Sequence, residues 1–380
     1  MDRDARGGGP LSRLGERWDN DDVRIRPGRS SRPRTKIRPG HTDAVPGLVL
    51  TVDRGRYGCL VGTGKSEHLV VAMRARELGR RGVVVGDRVD LVGDTSGGPD
   101  GLARVVRVTP RTSVLRRSAD DQVDPDASEV DDVATGGRPG AGEKVLVANA
   151  DQLLIVTAVA DPEPRPGFID RCLVAAYTGT LDPILVLTKT DLADPGPLQQ
   201  LYADLDLPVV VTRRVPTADP ADLRPPRIEG LDTLAGLCHD RMSVLVGHSG
   251  VGKSTLVNQL VPDAARATGT VTGVGKGRHT STSAVALALP GGGWVIDTPG
   301  VRSFGLAHVS ADDLLETFDD LLPATVDCPP GCDHSGPDGG PDSTGAGCAL
   351  DGFVAAGGAS AARLASFRRL LASRTGGAGD

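Results

Sequence analysis

Gly247-His248-Ser249-Gly250-Val251-Gly252-Lys253-Ser254-Thr255 follows the apolar run 242–246 and precedes a segment, 254–260, with a helical character. The string satisfies G-x-x-x-x-G-K-[ST] at every position, and a strand before it with a helix after it is the context that gives the pattern meaning. Glycines in such a loop let successive backbone N–H groups turn inward around phosphate oxygens, beside the positive end of the helix. Lys253 would reach the β- and γ-phosphates, and the Ser254 hydroxyl would ligate Mg²⁺. The plain alternative is a Gly-rich strand-to-helix turn with a chance Lys-Ser pair, and the complete context argues against it. The stretch implies binding of a nucleoside triphosphate. A partial echo, Gly62-Thr-Gly-Lys-Ser66, lacks the first glycine and lies between two strand-like runs, so it is set aside.

Upstream, the apolar run 182–187 ends in Thr188-Lys189-Thr190-Asp191, the form of the N/T-K-x-D base motif of GTPases. A carboxylate there accepts from the guanine N1–H and exocyclic amine, whereas adenine would leave it unpaired at a cost. The Lys189 stem can cover the base. Where GTPases usually carry Ser-Ala after the next strand, 208–212, this chain has Thr212-Arg213. Downstream, the Gly- and Thr-rich segment 269–282 contains His279 and Thr280 and has the make-up of a switch loop that orders on Mg²⁺ and the γ-phosphate. The strand 293–296 then ends in Asp297-Thr-Pro-Gly300, where Asp297 organises the Mg²⁺ shell and the Gly300 N–H can touch the γ-phosphate. Most GTPases place the phosphate loop first and the base motif last. Here the base motif comes first, which a circular permutation of the domain explains. The chain therefore leaves the domain next to the element that senses the γ-phosphate.

The remaining sequence sets bounds. With 380 residues the chain should hold two or three domains. A hydrophobic share of 39% and a charged share of 24% are ordinary for a globular protein, and no apolar run approaches the ~20 residues of a membrane span. The polar start carries no secretory signal, so a cytoplasmic protein without membrane contact is expected. A net charge of -6 excludes a polycation, and any nucleic-acid contact must come from local patches.

In chain order, residues 1–45 read as a disordered basic arm, with eleven Lys/Arg against six Asp/Glu in the first 40 and most of the excess between Arg24 and Arg38. Either a phosphate-contacting arm or a solubilising tail fits. Residues 46–110 contain five short β-type runs (47–53, 57–61, 68–72, 83–92 and 102–108), which predict a small OB-fold-like barrel. Residues 111–143 read as a flexible linker, and 144–322 as the permuted α/β GTPase domain. Residues 323–375 hold the remaining cysteines and a terminal helix, 359–373, with Leu364, Phe367, Leu370 and Leu371 on one side. Its Arg363, Arg368, Arg369 and Arg374 admit an rRNA contact or a solvated face.

Cys59, Cys172 and Cys238 are solitary, whereas Cys328, Cys332 and Cys348 cluster with His334. Three thiolates and one imidazole make a closed tetrahedral zinc set, worth on the order of 10 kcal/mol to a module too small for its own core.

The barrel, the permuted motifs and the cysteine tail together resemble the ribosome small-subunit-dependent GTPase A (RsgA/YjeQ) family. The matching residues are Gly247 to Thr255, Thr188 to Asp191, Gly277-Arg-His-Thr280, Asp297-Thr-Pro-Gly-Val-Arg302, Phe304-Gly-Leu306 and Cys328/Cys332/His334/Cys348, and the likeness covers roughly residues 47–375. The intervals around the cysteines depart from the family's usual ones, with three residues between the first pair and thirteen between His334 and Cys348. The resemblance implies a GTPase of late small-subunit assembly that works as a monomer with GTP/GDP, Mg²⁺ and Zn²⁺. Its partners would be the small ribosomal subunit and its rRNA. Val301 stands where small GTPases place a water-orienting glutamine, so hydrolysis should wait on a partner, with His279, Thr280 and Gly300 as catalytic candidates. Ser254, Thr280 and Asp297 would hold Mg²⁺. An RNA-binding assembly chaperone that uses GTP as a clamp with negligible turnover is the alternative, and an ATPase is a third reading.

Overall fold

Alternation of inward and outward residues builds the first unit of the chain. In the computed structural model, which describes residues 40–78, 82–118, 143–215, 227–262, 284–298, 304, 306, 309–337 and 347–374, five strands close on themselves. They are β1 (Val45–Asp53), β2 (Arg56–Val61), β3 (His68–Arg74), β4 (Arg88–Gly93) and β5 (Ala103–Val108). The pairing runs β1-β2-β3-β5-β4 and back to β1, with only β3–β5 parallel. This is an OB-like barrel, filled by every second residue: Tyr57, Cys59 and Val61 from β2, Val70 and Ala72 from β3, Val89 and Leu91 from β4. The predicted strand 83–92 is shorter than expected. Its first half is a turn whose Val85 bridges to Val147 outside the barrel.

Strand β1 serves two cores. A register shift between Val49 and Thr51 makes a bulge opposite Cys59 and Gly58, which lets adjacent side chains depart from strict alternation. Val49 enters the barrel core and Leu50 the neighbouring one. Thr51 then pairs with Val285, joining the barrel to the second sheet.

That sheet has the order β10-β9-β8-β13-β15-β14, where β8 is Gln152–Ala158, β9 Asp182–Thr188, β10 Val209–Val211, β13 Met242–Val246, β14 Val285–Ala288 and β15 Trp294–Asp297. All neighbours pair in parallel except β14 with β15. All seven residues of β8 are buried, as expected of a strand covered on both faces. Leu153 and Ile155 face the side of α1 (Pro166–Thr178), whereas Leu154 and Val156 face α3 (Leu231–Cys238) and α4 (Lys253–Leu260). The chain lays β8, β9 and β10 outward, passes α2 (Gly196–Leu201) on the way, and returns through α3 to the centre of the sheet at β13. The 198–205 helix expected from sequence is two pieces, α2 and a 3-10 turn over Ala203–Leu205.

Residues 111–118, read from sequence as the start of a linker, are structured. Val114–Ser118 is β6, antiparallel to β7 (Glu143–Ala148); the acidic part, 119–142, lies outside the described residues. Arg111 closes on Asp87, whose side chain is fully buried, with Nε at 2.8 Å from one carboxylate oxygen and a second guanidinium nitrogen at 3.0 Å from the other. Asn149 donates to the Gly86 carbonyl at 2.9 Å. Gly86 has φ 88, and a Cβ there would lie 1.9 Å from the Ala148 carbonyl oxygen, so this close approach admits only glycine.

The tail has no core of its own. Leu314 and Leu315 of α5 (Ala311–Leu315), Leu350 of α6 (Ala349–Ala355) and Leu364, Phe367, Leu370 and Leu371 of α7 (Ala361–Ser373) all join the cluster around α1. The four α7 arginines turn back onto the protein. Arg363 pairs with Asp320 and lies over the Phe318 ring, and Arg368 takes both oxygens of Asp351. Arg369 lies 3.3 Å from buried Asp170 and over Tyr202, and Arg374 donates to the Val309 carbonyl. They anchor the helix, in place of the rRNA contact or solvated face considered from sequence. Among the described residues no helix is long and apolar enough to cross a membrane.

Removing one partner of a buried ion pair strands the other charge. Arg111→Ala should therefore destabilise the protein by about 3–5 kcal/mol, measured from the shift of the denaturant unfolding midpoint.

Candidate nucleotide site and metal centre

Strand β13 delivers the phosphate loop to the centre of the sheet. Directly after Val246, a Cβ on Gly247 would lie 2.3 Å from the Val156 carbonyl oxygen of β8, so the chain can turn here only without a side chain. Gly250 and Gly252 have φ of 82 and 101, and α4 starts at Lys253 with no side-chain cap on its N-terminus. The first-turn N–H groups are therefore available to an anion. Ser249, Ser254 and Thr255 are exposed around this opening.

Lys253 folds over the loop, its Nζ donating to the Gly247 carbonyl and, at 2.8 Å, to that of His248. Asp297, at the end of β15, is in register with Leu245 of β13. Burial lowers the pKa of Lys253, and Asp297 partly offsets that shift. Burial raises the pKa of Asp297, and Lys253 and the Thr298 N–H partly offset it. A cation at Asp297 and an anion at Lys253 would relieve both costs, which is what a Mg²⁺-polyphosphate brings. Thr298 fixes the end of β15 through a 2.6 Å hydrogen bond from its hydroxyl to the Leu245 carbonyl.

The base motif meets this loop directly. The buried Thr188 hydroxyl donates to the Val251 carbonyl at 2.6 Å, so β9 and the phosphate loop hold each other in place. Lys189 has φ 57, and its Nζ reaches the carbonyl oxygen of Asp161. Asp191 is exposed, and its Oδ1 accepts from the Arg214 N–H at 3.2 Å. Arg214 belongs to a two-stranded ribbon, β11 (Arg213–Arg214) with β12 (Ile228–Glu229), closed by the Arg213–Glu229 ion pair. Thr212 is buried, and its carbonyl accepts from Thr190. His248 packs its ring 4.2 Å from that of Phe168, which lies 6.2 Å from Phe304. His279, Thr280, Gly300 and Val301 lie outside the described residues, as does the basic arm up to residue 39.

At the other end of the tail, the donor atoms of Cys328, Cys332, His334 and Cys348 all lie within 4.8 Å of one another. The three sulfurs stand 3.6, 3.5 and 3.7 Å from His334 Nδ1. Zinc bond lengths of about 2.3 Å to sulfur and 2.0–2.1 Å to nitrogen put tetrahedral neighbours about 3.5 Å apart. The residues fit the ion. Burial raises all three thiol pKa values, so a divalent cation is what would hold them as thiolates. The unusual intervals do not keep Cys328 away. Those thirteen residues are closed at the base by a 2.8 Å hydrogen bond from the Cys348 N–H to the Pro337 carbonyl.

The family described as RsgA GTPase matches residues 108–307, more than half of the chain. The chain belongs to the RsgA GTPase family. Relatives named small ribosomal subunit biogenesis GTPase RsgA include one from Chlorobaculum parvum, 33% identical over 296 residues, which cover 77% of this chain and 85% of the relative. Another, from Gemmatimonas aurantiaca, is 34% identical over 317 residues, covering 81% and 91%. Among solved structures, YloQ, described as a circularly permuted GTPase, superposes with a TM-score of 0.56 at 20% identity over 89% of this chain and 97% of that one. YjeQ from Thermotoga maritima gives 0.55 at 22% identity, over 88% and 99%. These structures share the fold, and the permuted order of motifs is a property of that fold.

Against the RsgA pattern, sequence reasoning found the phosphate loop, the base motif, Asp297 and the four metal donors, and the structure brings each set together. It missed the Thr298 hydroxyl and the tie from Thr188 to Val251. Thr298 is inside the Asp297-Thr-Pro-Gly300 string, so the signal was present there. The tie from Thr188 was not readable, because it joins positions 63 residues apart. Without that hydrogen bond the ligand itself must order the loop. Thr188→Ala should weaken GDP binding by roughly 2- to 12-fold in a fluorescence titration, with the unfolding midpoint little changed.

Proposed function

We propose that this member of the RsgA GTPase family hydrolyses GTP on the small ribosomal subunit late in its assembly and uses the nucleotide state to control its own release. The observation that carries the reading is the hydrogen bond from Thr188 to Val251, which joins a guanine-type motif to a phosphate loop in permuted order. Asp191 would accept from the guanine N1–H and exocyclic amine, and Lys189 would cover the base. Gly247, His248, Ser249, Gly250, Val251, Gly252 and Thr255 would cradle the phosphates by their backbone N–H groups, with Lys253 on the β- and γ-oxygens. Ser254, Asp297 and Thr280 would hold Mg²⁺, which supplies neutralisation of charge developing on the transferred phosphoryl group.

Val301 cannot orient a water, so His279, with Thr280 and the Gly300 N–H, would complete the site only when the subunit orders them. The segment after Gly300 runs into α5, so the state of the γ-phosphate would reach the metal-binding tail. Zinc would be held by Cys328, Cys332, His334 and Cys348. In this division of labour 46–110 and the basic arm 1–45 meet rRNA, 144–322 turns over GTP, and 323–375 reads out the switch. The protein would act as a cytoplasmic monomer.

Turnover measured with and without purified small subunits tests the reading. The expected result is a slow intrinsic rate and stimulation of at least tenfold, within the limit of about 10⁵-fold known for completed GTPase sites. No stimulation overturns it in favour of an RNA-binding chaperone clamped by GTP. Asp191→Asn should shift preference from guanine to xanthine nucleotides by about 10²-fold or more, measured by competition. Equal competition by adenine nucleotides would sink the guanine assignment.

A further inference from the structure

Outside the nucleotide site, the group with most unexplained chemistry is the buried imidazole of the metal centre. His334 is 3% exposed. All three cysteine sulfurs approach its Nδ1, so Nδ1 is the metal-facing nitrogen and Nε2 carries the proton. A buried N–H without an acceptor is costly. The group facing it comes from another element: Asp312 Oδ1 of α5 lies 3.4 Å from Nε2.

We propose that Asp312 is an outer-shell positioning residue of the metal centre, accepting the His334 Nε2–H and so fixing the imidazole in the tautomer and orientation that present Nδ1 to a zinc ion. This rests on the zinc reading of the cluster. A ligating histidine generally donates its second N–H to a carboxylate, carbonyl or water, which orients the ring and strengthens the ligand.

Three further observations bear on it. First, the place of Asp312 is set independently of the metal. Ser310 and Asp313 form a capping box, with Asp313 N–H to Ser310 Oγ at 3.0 Å and Ser310 N–H to Asp313 Oδ2 at 2.8 Å, which fixes the first turn of α5. Second, the Asp312 side chain is 82% exposed, so its carboxylate stays in water and serves no packing role. Third, His334 has φ 59, a left-handed backbone that only a minority of non-glycine residues adopt. Contacts from both sides hold it there. Asp312 takes the ring, and Arg368 of α7 donates to the His334 carbonyl at 3.2 Å. Arg368 also reaches Cys348, placing a positive charge beside a site whose three thiolates leave one net negative charge around a divalent ion.

The consequence is a mechanical one. The metal centre is gripped by α5, the helix that follows the Asp297–Gly300 segment, and by α7, which is anchored on α1. A displacement of α5 would loosen the grip on His334.

The test uses the full chain with zinc, and measures affinity by competition with a chromogenic chelator for the wild type, Asp312→Ala and Asp312→Asn. Alanine should weaken zinc by roughly 10- to 100-fold. Asparagine, which keeps an acceptor oxygen but loses the charge, should recover most of that loss. This separates the hydrogen bond from the effect of a carboxylate on the helix dipole, since both variants lose the charge. The zinc-free forms of wild type and Asp312→Ala should melt together. Affinity of Asp312→Ala within twofold of wild type overturns the inference while leaving the zinc reading intact. Failure of the wild type to bind zinc overturns both. Equal losses in the two variants, or a zinc-free Asp312→Ala that melts lower, would assign the effect to the helix and overturn the inference.

Discussion

The hydroxyl of Thr188 and the carbonyl of Val251 meet at 2.6 Å inside the protein, and the nucleotide site is arranged about that contact. It exists because β13 runs between β8 and β15, which brings the end of β9 and the loop after β13 to the same edge of the sheet. Ligands of parallel α/β sheets bind at that carboxyl edge. Permutation changes which segment is synthesised first and leaves this neighbourhood intact. What it does change is the exit. In this chain β15 is the last strand of the sheet, so everything beyond Asp297 is attached to the switch side and to nothing else in sequence.

That attachment explains why the tail needs no core of its own. Its leucines and Phe367 fill the face of the sheet covered by α1, and four arginines of α7 are committed to acceptors or rings on α1, α5, α6 and the segments between them. Arginine suits the task because its planar fork can satisfy two acceptors while its stem covers apolar surface. Metal binding therefore shapes one end of a module whose other end is already held by burial.

How much of this could be read in advance depended on whether the signal was local. The barrel strands announce themselves by alternation at Tyr57, Cys59 and Val61, and β8 by an unbroken apolar run. The phosphate loop is a contiguous string whose glycines answer to a backbone 2.3 Å away. Strand β6 was missed because five residues carry little periodicity and its partner, β7, lies beyond an acidic stretch. The turn at Gly86 and Asp87 read as strand because its valines are apolar, although they serve the junction with Ala148 and Asn149. Arg368 and Asp312 had no motif at all. Each is an ordinary surface-type residue whose partner is set by tertiary packing, and no spacing rule reaches from 312 to 334.

The hydrogen bond from the Cys348 N–H to the Pro337 carbonyl has a bearing on the history of the tail. With the neck closed there, the length of the stretch between the two residues enters stability mainly through loop-closure entropy, and doubling it costs only about 0.6 kcal/mol. That is small beside the on the order of 10 kcal/mol that a structural zinc ion supplies. Residues can therefore accumulate or vanish at this point with little selective penalty, and an unfamiliar cysteine spacing says little about whether the four donors still converge.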